Sequence, residues 1–181
     1  MKKVIFPLLM YLPIIGLACG TNSCNKPYTP PDITGTWSYQ DFLFAIQVNK
    51  TVNGYDSELE KKLSEAVYQM DAAVTDPQTI VINPDNTFKF MYAYTEMGTG
   101  TYSIDNLGYI YYTFTSGFYP YKEAIALSDG TLMELYLNLD TVKPIFLSFL
   151  DVEGEVLNLL FDKDNPIITG MQASTIYRRT K

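Results

Sequence analysis

Hydrophobic and polar positions alternate with a period of two along most of the chain after Ile33. In the segment 88–94, aromatic side chains alternate with smaller or more polar ones, as a half-buried strand requires. Clusters of Pro, Asp, Asn and Gly separate such segments and predict tight turns. The strands predicted in this way are residues 36–48, 79–83, 88–94, 101–104, 109–116, 122–127, 131–139 and 171–179.

Short strands joined by short turns predict an all-β, up-and-down antiparallel meander. About eight strands is the number at which such a sheet closes into a small barrel, and closure removes exposed edges. We therefore expect one domain, residues 33–181, folded as an eight-stranded antiparallel barrel. It carries one amphipathic helix after the first strand and an apolar helical insertion before the last strand.

Two segments break the strand pattern. Ser57 and Glu60 have the spacing of a capping box, which predicts the start of a helix that ends before Pro77. Its apolar stripe consists of Leu59, Leu63, Val67, Met70 and Val74. The second segment, 144–161, is too apolar to lie in water and predicts one or two short helices split at Gly154. Each of these two helical segments could either cap the mouth of the barrel or pack against its wall.

The first 18 residues have the pattern of an export signal. Lys2 and Lys3 precede an apolar run that is too short, and too interrupted by proline, to span a membrane. Leu17-Ala18-Cys19 resembles the bacterial lipobox, which implies cleavage before Cys19 and a diacylglycerol thioether on its sulfur. Residues 19–32 then form a polar, proline-rich tether. The expected location is the outer membrane of a diderm bacterium, on its periplasmic or its surface face.

Composition excludes several function classes. The chain has no histidine, which removes imidazole metal sites and the usual neutral-pH proton shuttle. It has 13 basic and 20 acidic residues, so a nucleic-acid partner is not expected. The second cysteine, Cys24, lies in the tether and provides no disulfide within the domain. No cofactor or metal is expected.

Carboxylates are the remaining candidates for catalysis. Paired carboxylates serve glycoside hydrolases as acid and nucleophile. The candidates by position are Glu123, Glu134, Asp151, Glu153 and Glu155. The last three alternate through a polar loop, and the first two occupy outward strand positions, so the sequence predicts no convergent catalytic site. We therefore expect a protein that is not an enzyme.

Gly35-Thr36-Trp37, at the head of the first strand, resembles the G-x-W signature of lipocalins and other calycins. The order of elements and the hairpin 84–88 are similar to those of calycin-like lipoproteins of diderm bacteria, a family of unknown function. The resemblance implies that Gly35 and Trp37 form a structural signature at the closed base of the barrel. It also implies that a basic side chain of the last strand, Arg178 or Arg179, stacks on the tryptophan.

Aromatic residues that alternate along the strands suggest a barrel interior able to hold a small apolar or amphipathic ligand. The candidates to line it are Phe42, Phe44, Phe90, Tyr92, Tyr94, Tyr111, Phe114 and Tyr136. The same rings are also sufficient to fill a barrel of this size. The alternative function is therefore a solid barrel that acts as a scaffold for another envelope protein.

Overall fold

Eight antiparallel strands form one closed sheet in the computed structural model, which describes residues 29–73, 77–117, 123–152 and 154–180. They are β1 (Gly35–Val48), β2 (Thr79–Ile82), β3 (Thr87–Tyr92), β4 (Thr95–Ile104), β5 (Tyr109–Gly117), β6 (Glu123–Ser128), β7 (Leu132–Tyr136) and β8 (Ile168–Arg179). Each strand pairs with its neighbours in the sequence, and β8 pairs with β1 to close the barrel. The prediction of an all-β, eight-stranded antiparallel barrel is confirmed.

In the described part of the chain, three helices interrupt the series of strands. Helix α1 (Ser57–Ala73) follows β1, and helices α2 (Leu139–Ser148) and α3 (Glu155–Leu160) lie between β7 and β8. Within the described ranges, no helix is long and apolar enough to cross a membrane. The predicted export signal, Cys19 and most of the tether lie outside the described residues.

The ladder between β1 and β8 is the longest in the sheet. It contains eleven register pairs, from Trp37 opposite Arg179 to Val48 opposite Ile168. The other strands are shorter, so the far part of this ladder extends past them as a two-stranded ribbon. A bulge between Tyr39 and Asp41 keeps the inward face continuous along the bend. Helices α1 and α2 pack against the inward face of the ribbon.

Buried hydrophobic residues form two clusters. The first, which we call the barrel core, lies inside the closed sheet and includes Trp37, Phe88, Phe90, Tyr112, Met133 and Tyr177. The second, the helix-covered core, lies between the β1–β8 ribbon and the helices and includes Phe42, Leu63, Met70, Val142, Phe146 and Leu160. Two separate cores follow from the difference in strand length, because β1 and β8 alone reach the helices.

The helices begin at residues other than the predicted ones. Asp56, not Ser57, caps α1, since its Oδ1 accepts a hydrogen bond from the Leu59 amide at 2.8 Å. Glu60 does not return to Ser57 and instead pairs with Lys50, with 2.6 Å between Nζ and Oε1. The predicted capping box is therefore wrong, because a better cap stands one residue earlier.

Helix α2 begins five residues before Pro144, the start of the predicted insertion. Asn138 caps it, because its Oδ1 accepts from the Asp140 amide at 2.8 Å. The predicted strand 131–139 accordingly ends early, at Tyr136. Pro144 lies inside the helix, where its missing N–H removes the intrahelical hydrogen bond to the carbonyl of Asp140. The predicted break at Gly154 is confirmed, since this glycine precedes α3 at φ 62°.

Strand β4 begins six residues before the predicted start at residue 101. Its first half, Thr95 to Gly100, contains two glycines, which are depleted in strands, and therefore did not resemble one. The preceding strand, β3, ends earlier than predicted, because Ala93 at φ 51° forms a turn together with Tyr94. The last strand, β8, begins at Ile168, three residues before its predicted start.

Candidate functional site

Trp37 closes the base of the barrel with a fully buried side chain. Its indole N–H donates to the carbonyl oxygen of Ile33 at 2.8 Å, which holds the segment before β1 across the barrel end. The guanidinium carbon of Arg179, its partner in register, lies 6.0 Å from the ring centre, within the range of cation–π attraction. Arg178 is exposed. The structure therefore selects Arg179 as the arginine of the predicted pair.

Arg179 also fixes the chain that leads into β1. Its guanidinium donates to the carbonyl oxygen of Asp32 at 2.9 Å, to Oδ2 of Asp32 at 3.0 Å, and to the carbonyl oxygen of Thr34. The hydroxyl and amide of Thr34 donate to Oδ1 of Asp32 at 2.7 and 2.9 Å. These bonds, first those from Thr34 and then that from Arg179, lower the pKa of Asp32 to about 2. Gly35 follows at φ 129°, in the region that favours glycine.

Four aromatic rings fill the centre of the barrel core. They belong to Phe88, Phe90, Tyr112 and Phe114, and neighbouring ring centroids are 4.8 to 5.4 Å apart. Most of the contacts are edge to face, which aromatic pairs prefer. Phe88, Phe90 and Tyr112 are completely buried. We call this group the ring stack. Rings in mutual contact leave no room for a ligand between them.

Two glycines of β4 lie beside the ring stack. Gly100 lies opposite Phe88 and Gly98 lies opposite Phe90 in the β3–β4 ladder. A Cβ atom on Gly100 would collide with the carbonyl oxygen of Thr113 on β5, so this glycine allows the backbones of β4 and β5 to approach closely. Sequence reasoning missed these two glycines. The signal that could have found them is their spacing of two, which places both on one face of the strand.

The hydroxyl groups of the barrel core bond within the protein. Tyr112 donates to the sulfur of Met133 at 3.2 Å, and its complete burial raises its pKa. Tyr177 donates to the carbonyl oxygen of Pro77 at 2.9 Å. Both hydroxyls therefore have a partner that belongs to the chain itself, and neither is left to orient a ligand.

Half of the predicted ligand-lining residues lie inside the protein, in two different places. Phe90 and Phe114 belong to the ring stack. Phe42 and Phe44 belong to the helix-covered core, where the ring of Phe44 lies 5.2 Å from that of Phe146. These four residues do not surround one common space.

For Tyr92, Tyr94, Tyr111 and Tyr136 the prediction of an inward position is wrong. Tyr94 is completely exposed in the β3–β4 turn, and Tyr92 follows a bulge that ends the inward alternation of β3. Tyr111 and Tyr136 lie on the outer face, because Tyr112 and Leu135 beside them point inward. Alternation shows which residues share a face but not which face is inside, and Tyr111 and Tyr112 are adjacent aromatics.

The candidate carboxylates do not converge. Glu123, Asp151 and Glu155 are exposed on three different elements or loops, and Glu153 lies outside the described residues. Among the side chains that the structure describes, no three acidic groups are placed to hold a metal ion.

Glu134 belongs to a small hydrogen-bond network on the outer face of β7 and β8. Its carboxylate accepts from the hydroxyl of Ser174 at 2.7 Å and from that of Tyr136 at 3.1 Å. Partial burial, followed by the charge of Glu134, raises the pKa of Tyr136. Ser174 is itself fully buried. The carboxylate of Glu134 thus links side chains of β7 and β8 on the outer face.

An open cleft of about 190 Å³ lies at the helical end, between α1 and the segment before α3. Its lining residues are Gly54, Asp56, Glu58, Leu59, Lys62, Val152 and Val156. The polar groups are engaged locally: Asp56 caps α1, and the Nζ of Lys62 donates to the carbonyl oxygen of Asp151 at 2.6 Å. The cleft thus offers an apolar floor but few unengaged polar groups.

No model of a known protein family matches the chain, and no curated protein sequence matches it. Function is therefore inferred from the geometry of the barrel, its two cores and its surface.

Proposed function

We propose that this chain is an exported lipoprotein whose solid barrel is a non-catalytic interaction module of the cell envelope, anchored to the outer membrane through a lipid on Cys19. The observation that carries the proposal is the ring stack. Phe88, Phe90 and Tyr112 are fully buried in mutual contact, where a ligand-binding barrel would hold its ligand. A solid barrel meets other molecules through its outer surface.

The order of connections gives the barrel two different ends, which suits a tethered module. Antiparallel strands alternate in direction, so the segment before β1 and the three turns β2–β3, β4–β5 and β6–β7 share the Trp37 end. The three helices lie at the opposite end. A tether from Cys19 would enter at the Trp37 end. The helical end and the outer wall would then stay free for a partner.

A lipocalin-like, up-and-down barrel is part of the same proposal. Two observations support it: the strands pair in sequence order around the closed sheet, and Arg179 lies 6.0 Å from the ring of Trp37 at the base. The departure from an open ligand cup also has a physical basis, since helices cover the ribbon and rings occupy the centre. The family of unknown function described above is the proposed relative.

Native mass spectrometry of the protein purified without added ligand tests the solid interior. We expect the mass of the lipidated chain alone. Phe90→Ala is the matched control, because it opens an apolar void in the ring stack, and empty apolar cavities bind small molecules such as benzene. Benzene should raise the melting temperature of Phe90→Ala but not that of the wild type. A small apolar molecule that stays with the wild-type barrel, and is lost in Phe90→Trp, would refute the proposal.

Fractionation tests the anchor. Cys19→Ser removes the sulfur that would carry the lipid, so the protein should move from the membrane fraction to the soluble one. Cys24→Ser, five residues further along the same tether, is the control and should stay in the membrane fraction. If Cys19→Ser remains in membranes after a high-salt wash, a lipid on this cysteine is not the anchor.

Binding of a small apolar or amphipathic ligand is the second candidate function, with its site at the helical end. The observation in its favour is that, of the residues the structure describes, thirteen partly buried hydrophobic ones pack against the helix-covered core, next to the 190 Å³ cleft. The same mass measurement distinguishes this candidate. A bound molecule there should be displaced by Val156→Trp, which fills the cleft, and retained by Phe90→Ala.

A further inference from the structure

The outer face of the barrel differs from one side to the other. On β2, β3 and β4, the outward positions include Thr79, Lys89, Glu96, Thr99 and Thr101, and Lys89 pairs with Glu96 at 3.1 Å. Val81 and Met91 are half-buried between them. This side is an ordinary solvated sheet surface, with its charges neutralised locally.

The other side, formed by β5 to β8 and β1, carries a cluster of large apolar side chains among its polar ones. Its members are Leu43, Tyr111, Ile125, Leu127, Tyr136 and Ile176, which we call the apolar wall. Tyr111, Ile125 and Tyr136 are direct neighbours in register across three strands. Tyr111 is 39% exposed, Ile125 40% and Leu43 45%, so large parts of these side chains meet water. Contiguous apolar residues on a sheet face mark a site of interaction, whereas single ones do not.

Acidic groups are set among these side chains. The carboxylate of Glu134 lies in the wall and accepts from Tyr136 and Ser174, and Asp105 accepts from the hydroxyl of Tyr111 at 3.1 Å. In the part of the chain that the structure describes, neither Glu134 nor Asp105 forms an ion pair with a lysine or arginine. Arg178 lies at the edge, opposite Leu132 in register. The wall therefore combines exposed aromatic rings with uncompensated negative charge.

We propose that the apolar wall binds a protein segment that presents lysine or arginine side chains among apolar ones. The inference rests on the proposed function, a solid barrel that acts through its surface, and it names the surface and the chemistry of the partner. Apolar side chains of the partner cover Ile125 and Leu127. Its cations meet the carboxylates of Glu134 and Asp105 and the faces of the tyrosine rings.

Charge selects this partner over other occupants. A second copy of the chain carries the same formal charge of −7, and a twofold contact would bring equivalent acidic groups together. Nucleic acids and anionic lipid headgroups are repelled for the same reason. A basic segment with apolar residues complements the wall in both charge and hydrophobicity. Arginine and aromatic residues are also enriched at the centres of protein interfaces.

The test uses the full lipoprotein in nanodiscs of phosphatidylcholine, which has no net charge, with empty discs as the blank. Two fluorescent peptides are the probes, one alternating lysine and leucine, the other glutamate and leucine. The lysine peptide should bind at least about tenfold more tightly than the glutamate peptide, and high salt should weaken it because screening acts on exposed charges. Equal binding of the two peptides would overturn the inference.

Variants locate the contact. The double variant Tyr111→Ser, Ile125→Ser should weaken binding of the lysine peptide about tenfold. The control double variant Val81→Ser, Met91→Ser, on the solvated side, should change it less than about twofold. Glu134→Gln keeps the size of the side chain and should weaken binding and reduce its salt dependence, which tests the charge even if the serine variants fold poorly.

Failure of this inference differs from failure of the proposed function. If the variants on both sides behave alike, or if sedimentation shows a dimer that the serine variants dissociate, the partner assignment is wrong while the solid barrel stands. If native mass spectrometry finds a ligand inside the barrel, the proposed function is wrong whatever the peptides do.

Discussion

The barrel core and the helix-covered core are equally large but differently sealed. Among the described residues, each contains fourteen buried hydrophobic side chains. Only three further hydrophobic residues pack partly buried against the barrel core, whereas thirteen do so against the helix-covered core. A sheet that closes on itself excludes water all round, but helices laid on a two-stranded ribbon cover one face and leave the margins wet. Closure of the sheet, rather than the number of buried apolar residues, therefore determines how completely a core is shielded from water.

The largest expected effect comes from Trp37→Ala, which removes the largest side chain of the barrel core. Truncating a fully buried aromatic should lower the free energy of unfolding by about 3–5 kcal/mol. Denaturant unfolding measures it, and Leu157→Ala, at a side chain 41% exposed on α3, is the control expected near zero. A loss below about 1 kcal/mol would mean that Trp37 does not anchor the barrel.

Phe146→Ala should cost somewhat less, about 3 kcal/mol, because partly buried neighbours can relax into the space. The two variants should differ more clearly in which amides exchange faster. Hydrogen exchange should show faster exchange of the α1 and α2 amides, with the β3–β5 amides unchanged, since the helices open without the barrel. Trp37→Ala should instead speed exchange in both regions. If Phe146→Ala accelerates all strands equally, the two cores unfold as one unit.

Gly100→Ala should destabilise the protein by about 1–3 kcal/mol through overpacking, since its Cβ would meet the carbonyl oxygen of Thr113 on the neighbouring strand. Gly154→Ala is the matched control: nothing lies within 4 Å of its added Cβ, and only its φ of 62° opposes the change. Thermal unfolding compares them. A smaller loss for Gly100→Ala than for Gly154→Ala would show that the close approach of β4 and β5 does not need this glycine.

The smallest effect is expected at the rim of the barrel core, where Asp32 meets Thr34 and Arg179. The pKa of Asp32 is lowered from 3.8 to about 2 in the folded protein, so its stabilisation is complete above the unfolded value and is lost as the pH falls toward 2. The difference in melting temperature between the wild type and Asp32→Asn should therefore shrink between pH 5 and pH 2. A constant difference would mean that the carboxylate charge does not matter there.

The closed barrel could be predicted from sequence because alternation of period two recurs in most of the strands and does not depend on distant contacts. The contact at the base could be predicted in part. Trp37 belongs to a recognisable signature, but its partner could be named only as Arg178 or Arg179. Selecting Arg179 over Arg178 required the register, which Trp37 and Arg179 share across the ladder. Register depends on how two strands pair, so it cannot be predicted from the sequence of either strand alone.

The interior was harder to predict. Tyr111 and Tyr112 are both aromatic, and only the packing of Tyr112 against Phe88 distinguishes the inward one. Gly98 and Gly100 were passed over because glycine disfavours strands, although Gly100 here lets the backbones of β4 and β5 approach closely. The cap of α1 was misplaced by one residue, because Asp56 and Ser57 are both good capping residues. In each case, tertiary contacts decided between local choices of similar energy.

The length of the β1–β8 ladder has a mechanical consequence for a chain held at its N-terminus. A pull on residues 29–34 reaches the contact between Asp32 and Arg179 first and then acts along β1. If the opposing load acts at the helical end, β1 is drawn lengthwise past β8, and the hydrogen bonds of eleven register pairs share the force together. Bonds loaded in shear rupture as a group, whereas peeled bonds open singly. If the proposed anchor and partner pull on opposite ends, the β1–β8 ladder would carry the tension between them in shear.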